Sequence, residues 1–189
     1  MLKKIILILL TSFALTLFGQ TSNKGNFLCQ SDSVSYYTVK SLTDNGIKAI
    51  MTFYYGYYDG RTSDDLHYIV WLDNFNGHLK KITGCDNPKI KDTILNKSIR
   101  DIFDFYNSNQ IDTITRDIES RVSMYYEKGY YIKVYLPNKT KVYKIGNFER
   151  GVTVFEDGKR TDGKENFNLK DPRIIWLKLF ETTVRNVVD

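Results

Sequence analysis

The chain has 189 residues, and 27 Lys and Arg against 22 Asp and Glu leave a formal net charge of +5. Hydrophobic residues make up 42% of the sequence and there are only 3 prolines, a composition typical of a folded domain and not of a disordered chain. The charge excess is too small for the dense basic face of a nucleic-acid-binding protein, so we expect no nucleic-acid partner.

The N-terminal segment Met1–Gly19 has the three parts of a secretory signal peptide. Lys3 and Lys4 precede an apolar run, Ile5–Phe18, and a small residue, Gly19, stands at its exit. A helix that spans a bilayer needs roughly 20 apolar residues, which favours cleavage near Gly19 over the alternative of an uncleaved anchor. Cleavage removes two lysines and lowers the net charge from +5 to +3.

We therefore expect residues 1–19 to be a signal peptide and residues 20–189 to form a single α+β domain. The mature protein is predicted to be exported, to the periplasm or the extracellular space, and to touch a membrane only through the signal segment before cleavage. No lipid anchor is expected, since no cysteine stands at the exit of the apolar run.

The mature chain keeps two cysteines, Cys29 and Cys85. In an oxidising compartment an isolated pair predicts a disulfide, which would stabilise the fold by roughly 4 kcal/mol in the chain-entropy model. Two separate thiols are the alternative. A metal or redox site is disfavoured because the sequence has no Cys-x-x-Cys motif, and we expect no bound metal and no cofactor.

Strand-forming residues and short turns predict a β-meander from Val34 to Asp86. Its predicted strands are Ser35–Ser41, Ile47–Tyr58, Leu66–Asp73 and His78–Cys85. The segment Thr43-Asp44-Asn45-Gly46 is predicted to form the first turn, with Asn or Gly adopting positive φ.

The hydrophobic period then changes to three and four residues, which predicts two consecutive helices, one around Ile94–Tyr106 and one over Ile111–Tyr125. Alternation returns after Gly129 and predicts strands over Tyr131–Leu136, Lys141–Asn147 and Gly151–Glu156.

A C-terminal helix is predicted to begin with Asp171 as N-cap and Pro172 in the first turn, because both residues favour those positions. Its buried stripe should contain Ile174, Leu177, Phe180 and Val184, and Val187 or Val188. The predicted fold class is α+β: an antiparallel meander and hairpin sheet packed against two central helices and a C-terminal helix, with the helices on one face.

Two histidines, His67 and His78, are the side chains that would ordinarily titrate near neutral pH. Asp64, Asp65 and Asp73 lie close to them in sequence, so an acid–base or metal site is geometrically possible. No spacing such as His-Glu-x-x-His supports it, and we treat a small secreted hydrolase or metal-binding enzyme as the alternative hypothesis.

Tyrosines and lysines form the more unusual pattern of the sequence. Tyr55 and Tyr57 share one face of a predicted strand, and a later strand carries Tyr131, Lys133 and Tyr135 outward, with Lys144 on the adjoining strand. Such a surface can bind a protein or an anionic glycan. Ordinary sheet packing and the protection of sheet edges by lysine would produce the same pattern.

The sequence contains no nucleophile elbow and no recognisable catalytic motif. We expect a non-catalytic exported protein that binds an envelope protein or an anionic glycan through its aromatic and basic sheet surface. The candidate binding residues are Tyr131, Lys133, Tyr135, Lys144, Tyr55 and Tyr57.

Overall fold

The computed structural model describes residues 30–57, 66–74, 76–85, 87–116, 118, 128–146, 154–156, 159–161, 168 and 170–188. A six-stranded antiparallel sheet is packed with three helices, which confirms the predicted α+β class. No helix in these ranges combines the length and the apolar character needed to cross a membrane.

The helices are α1 (Gln30–Asp44), α2 (Asn96–Ser108) and α3 (Pro172–Val188). The strands of the large sheet are β1 (Ala49–Tyr57), β2 (Leu66–Leu72), β3 (Gly77–Thr83), β4 (Lys89–Ile94), β5 (Lys128–Leu136) and β6 (Lys139–Gly146). Their spatial order is β4-β3-β2-β1-β5-β6, and every neighbouring pair is antiparallel. Two short strands, β7 (Val154–Glu156) and β8 (Lys159–Thr161), form a separate hairpin.

The prediction of a strand over Ser35–Ser41 is wrong, because this segment lies inside α1. Its strand-forming residues are outweighed by burial at helical spacing. Ser31 and Val39 are buried, and Val34 and Leu42 pack beside Val39 against the sheet. Residues three and four apart share one side of a helix, so this spacing buries one stripe and leaves the rest of α1 in solvent.

Helix α1 ends in a Schellman motif. Gly46 has φ +80°, its N–H donates to Thr43 O at 2.9 Å, and the N–H of Ile47 donates to Leu42 O at 3.0 Å. The positive φ predicted for this turn is therefore present, but it terminates a helix and does not join two strands. Glycine adopts this conformation without the steric cost that a Cβ atom would add.

The meander still has four strands, because β4 follows β3 at residues that were not predicted as a strand. Ile94, assigned by its spacing to a helix, is the last residue of β4, and α2 begins at Asn96. The close approach of α2 requires Gly77, since a Cβ atom there would lie 2.6 Å from Ile99 Cβ and 2.9 Å from Leu95 O.

The prediction of a second central helix over Ile111–Tyr125 is wrong for the part of this range that the structure describes. Ile111–Thr113 form a single 3-10 turn, and Ile114 is extended with φ −70° and ψ 114°. The β-branched residues at 113, 114 and 115 disfavour continuation of the helix. Residues 119–127 lie outside the described residues.

Helices pack on both faces of the sheet, and not on one face as predicted. α2 and α3 cover the face that carries Met51, Phe53 and Val70, and the ring of Phe180 stacks on Phe53 with centroids 3.6 Å apart. α1 covers part of the opposite face. There Val39 packs on three sheet residues, Ile50, Ile69 and Ile82. Successive residues of a strand point to opposite faces, so Ile50 and Met51 separate the two apolar clusters.

The start of α3 matches its prediction. Asp171 accepts a hydrogen bond from the backbone N–H of Arg173 at 2.9 Å, and its side chain also accepts from the Arg173 guanidinium at 3.0 and 2.8 Å. Four predicted stripe residues are buried: Ile174, Leu177, Phe180 and Val184. Trp176, which was not in the predicted stripe, is completely buried beside them. The side chains of Val187 and Val188 lie outside the described residues.

Candidate functional site

The face of the sheet that α1 partly covers, together with the exposed surface of α1, is called the α1 side. Helix α1 lies over β2 and β3, and the sheet continues beyond the helix to β5 and β6. Because α1 is narrower than the six-stranded sheet, a cleft opens between the helix and β5. The cleft has a volume of about 340 Å³.

Side chains from one helix and three strands line this cleft. The helix wall consists of Asp32, Ser35, Tyr36 and Val39, whose spacing of one, three or four residues places them on one side of α1. The floor and the far wall consist of Thr52, Tyr54, His67, Tyr131, Lys133 and Tyr135.

The strand register explains why the floor is continuous. Tyr54 on β1 lies opposite His67 on β2 and opposite Tyr131 on β5, and Thr52 lies opposite Lys133. Directly opposed residues of antiparallel strands have Cβ atoms about 5 Å apart, so these side chains touch across the sheet. Consistent with this, the rings of Tyr54 and His67 have centroids 4.8 Å apart.

Two lysines gather around one tyrosine at the outer wall. The ammonium nitrogens of Lys133 and Lys144 lie 5.4 and 5.8 Å from the ring centroid of Tyr131. Both distances are in the range of a cation–π interaction. Lys144 reaches the ring from β6, where it lies directly opposite Tyr131. Three of the predicted binding residues therefore line the cleft, and a fourth stands at its edge.

The environment of Tyr135 favours the neutral form of its hydroxyl. Burial raises the pKa of Tyr135, although a hydrogen bond from Thr52 partly opposes this effect. A neutral phenol can both donate and accept a hydrogen bond, while its ring offers an apolar surface. The cleft thus combines aromatic surface, hydroxyl groups and charge within one concavity.

His67 is buried at the inner end of the cleft. Its Nε2 atom lies 3.4 Å from the Oγ atom of Ser31 and 3.5 Å from a carboxylate oxygen of Asp32. Both groups approach the same nitrogen, whereas a Ser-His-Asp triad needs the carboxylate on the other ring nitrogen. The geometry connects the first turn of α1 to β2 and does not form a catalytic triad.

His78 lies in a different environment. Its Nε2 atom is 2.6 Å from Oδ2 of Asp73, and its ring stacks on Trp71 with centroids 4.9 Å apart. Trp71 pairs with His78 across the sheet and is four residues from His67, so the histidines are about 13 Å apart along the strand direction. The structure therefore does not bring His67 and His78 together.

The predicted carboxylates do not unite the histidines either. Asp73 closes the turn before β3 by accepting a hydrogen bond from the N–H of Asn76 at 2.8 Å. Asp64 and Asp65 lie outside the described residues. Within the part of the chain that the structure describes, no group of three His, Cys, Asp or Glu residues could hold a metal ion.

The remaining predicted site residues lie elsewhere. Tyr55 points to the opposite face and packs against Tyr130, with ring centroids 4.9 Å apart. Tyr57 is in β1, and its side chain lies outside the described residues. Cys85 is half-buried after β3, and its carbonyl accepts a hydrogen bond from Ser31 N at 3.1 Å. Cys29 lies outside the described residues, so the disulfide stays a prediction.

Exposed apolar side chains concentrate on the α1 side. Of the six large hydrophobic residues that are exposed in the described ranges, five lie there and one, Ile175, lies on α3. The five are Tyr36 and Tyr37 on α1, Ile90 and Ile94 on β4, and Val142 on β6. A second concavity, of about 480 Å³, runs along the other flank of α1 between Tyr37 and Trp71. The five exposed residues lie on the helix and on the two edge strands of the sheet, so this side exposes most of the large apolar groups in the described ranges.

The helix wall of the cleft was not predicted from the sequence, because three of its four residues, Ser35, Tyr36 and Val39, lie in the segment predicted as a strand. Asp32, Ser35 and Tyr36 would have been found from the helical spacing of Ser31, Val34, Val39 and Leu42, ending at Asn45-Gly46. No protein-family model matches the chain, and comparison with the curated proteins and with the solved structures finds no match.

Proposed function

We propose that this chain is an exported binding protein without catalytic activity, and that it holds its partner on the α1 side of the sheet. The observation that carries the proposal is the coincidence, on one side, of the aromatic and basic cleft with five of the six large hydrophobic residues that are exposed in the described part of the chain. Export is part of the proposal and rests on the sequence of Met1–Gly19.

The polar groups of the α1 side favour binding over catalysis. The imidazole of His67 lies in the cleft, and its Nε2 atom already faces Ser31 and Asp32. A general base needs a ring nitrogen within hydrogen-bond reach of the proton it removes from a substrate, and the Nε2 atom of His67 is directed at groups of the protein itself. Tyrosine rings and lysine side chains, by contrast, provide contact area and charge without further chemistry.

The test is affinity capture by the mature protein from an envelope extract, compared among variants. Tyr36→Ala and Tyr37→Ala together remove two exposed rings from α1, and alanine favours the helix. The matched control is Ile175→Ala, which removes the exposed hydrophobic residue on α3. We expect the double variant to lose the captured partner and the control to retain it, with both unfolding at the wild-type temperature.

Equal capture by the double variant and the wild type would contradict the proposal. An intact-mass measurement of the protein recovered from the cell envelope or the medium tests the proposed export and cleavage near Gly19. A mass that corresponds to a chain beginning near Gln20 supports cleavage, and a mass that corresponds to a chain including Met1–Gly19 contradicts it.

A further inference from the structure

We infer that the cleft between α1 and β5 binds an acidic sugar residue, a pyranose ring that carries one carboxylate, as part of a longer glycan. The inference rests on the proposed binding function and names the ligand class that the cleft selects.

Lys133 and Lys144 are two cations close to one ring. In the described part of the chain, neither ammonium group lies within 4 Å of a carboxylate. Elsewhere in the sheet, Lys139 is paired with Asp112 at 2.8 Å and Lys80 with Asp92 at 3.4 Å. Two such cations at the rim of a concavity attract an anion.

The rest of the lining determines what kind of anion fits. Tyr54 and Tyr135 supply ring surface, and Ser35 and Thr52 supply hydroxyl groups beside those rings. A sugar ring has apolar C–H faces that pack on aromatic rings and hydroxyl groups at its edge that donate and accept hydrogen bonds. An inorganic anion would use the lysines but leave this aromatic and hydroxyl surface without contacts.

Asp32 restricts the charge of the ligand. Its carboxylate lines the helix wall, across the cleft from Lys133, and is partly exposed. A carboxylate has lone pairs for about four hydrogen bonds, so it can accept from sugar hydroxyls while it faces His67. It would also repel a second negative charge. The arrangement of two cations at one wall and one anion at the other suits a ring with a single carboxylate.

The size of the cleft agrees with this class of ligand. Ligand sites in proteins range from about 300 to 1,000 Å³, and the cleft, at about 340 Å³, is at the lower limit. Such a volume holds one sugar ring and leaves the neighbouring rings of a glycan outside. Those rings would lie along the exposed α1 side, near Tyr36 and Val142.

The test is titration of the isotopically labelled mature protein with trigalacturonic acid, followed by NMR amide shifts. The matched ligand is the methyl ester of the same trisaccharide, which keeps the shape and removes the charge. We expect shifts at Thr52, Lys133 and Tyr135 with the acid, little response to the ester, and weaker binding at high salt.

Charge-removing variants sharpen the test. Lys133→Gln and Lys144→Gln should each weaken binding of the acid roughly tenfold, because each removes a charged hydrogen-bond donor. Lys178→Gln, which changes an exposed lysine on α3, is the matched control and should bind as the wild type does. Circular dichroism of each variant confirms that the fold is retained.

Equal binding of acid and ester, or no binding of either, would overturn the inference. Binding of triglutamate with the same lysine dependence, and no binding of the saccharide, would also overturn it and would assign the cleft to an acidic peptide. If the saccharide fails while partner capture still depends on Tyr36 and Tyr37, the proposed function stands and only the ligand class is wrong. If capture of the partner also does not depend on Tyr36 and Tyr37, the proposed function and the ligand class are both wrong.

Discussion

The two faces of the sheet differ in what they bury. Between the sheet and helices α2 and α3 lies a large core of aliphatic and aromatic side chains, in which Trp176, Phe180, Phe53 and Tyr106 are almost completely buried. On the α1 side the buried cluster is small and contains Val39, Ile50, Ile69 and Ile82. Buried apolar area is the main source of folding free energy, so the first face contributes more to the stability of the fold than the second.

The largest expected effect tests this difference directly. Phe180→Ala removes a ring that stacks on Phe53 and contacts the edges of Tyr68 and Tyr130, and should cost about 3–5 kcal/mol of unfolding free energy. Val39→Ala, the matched change on the α1 side, should cost about 1–2 kcal/mol. Urea unfolding measures both, and equal losses would contradict the division between the faces.

A disulfide between Cys29 and Cys85 would reinforce the weaker side. The hydrogen bond from Ser31 N to Cys85 O holds the start of α1 beside the end of β3, and Cys29 precedes Ser31 by two residues. We expect the protein purified without a reductant to have a mass lower by two hydrogen atoms than the dithiol, and reduction to cost roughly 2–4 kcal/mol of unfolding free energy. Alkylation of both thiols without a reductant would show that the pair is not joined.

Asp171 links the stability of the α3 side to pH. Burial would raise the pKa of this carboxyl group, but the hydrogen bonds and the charge of Arg173 outweigh burial and lower it. Since the pKa in the folded state lies below that of the unfolded chain, the carboxylate stabilises the fold at neutral pH. That contribution is lost as the pH falls from about 4 through the folded-state pKa.

Asp171→Asn retains an N-cap residue but leaves the buried Arg173 guanidinium without its carboxylate. We expect the unfolding free energy at pH 7 to fall by about 3 kcal/mol, measured by urea unfolding. The difference from the wild type should shrink at pH 3. Asp44→Asn is the control, because Asp44 is an exposed carboxylate paired with Lys40 on α1. It should measurably change neither the unfolding free energy at pH 7 nor its dependence on pH. A difference that is independent of pH would contradict the assigned role of Asp171.

Gly77→Ala tests the seating of α2 against β3. The added Cβ atom would approach Ile99 Cβ to 2.6 Å and the backbone oxygen of Leu95 to 2.9 Å, so the helix must shift. We expect a loss of about 1–3 kcal/mol, measured by thermal unfolding. Wild-type stability would show that α2 can move away from the sheet without loss of packing.

The smallest expected effect is on the surface of α1. Tyr36→Ala with Tyr37→Ala removes two exposed rings that contact each other, with centroids 5.3 Å apart. The unfolding free energy should change by no more than about 0.5 kcal/mol, since surface substitutions rarely exceed that value. A loss comparable to that of Val39→Ala would assign these rings to the fold and not to binding.

Much of this architecture follows from local sequence patterns. Strands β1, β2, β3, β5 and β6 and helix α3 lie within a few residues of their predicted positions. Alternation also correctly placed Tyr131, Lys133 and Tyr135 on one face and Ile132 and Val134 on the other. These features depend on the period of hydrophobic residues and on the cap at Asp171, which are properties of short segments.

The tertiary structure decided the rest. Ser35–Ser41 has the residues of a strand but forms a helix, because Val39 and its neighbours bury one stripe against Ile50, Ile69 and Ile82. The cleft exists only because that helix covers part of the sheet and stops short of β5, and the separation of His67 from His78 follows from the register of β2 and β3. The sequence by itself determined the class of the fold and the faces of its strands. Contacts between segments distant in the chain determined which of those faces carries the cleft.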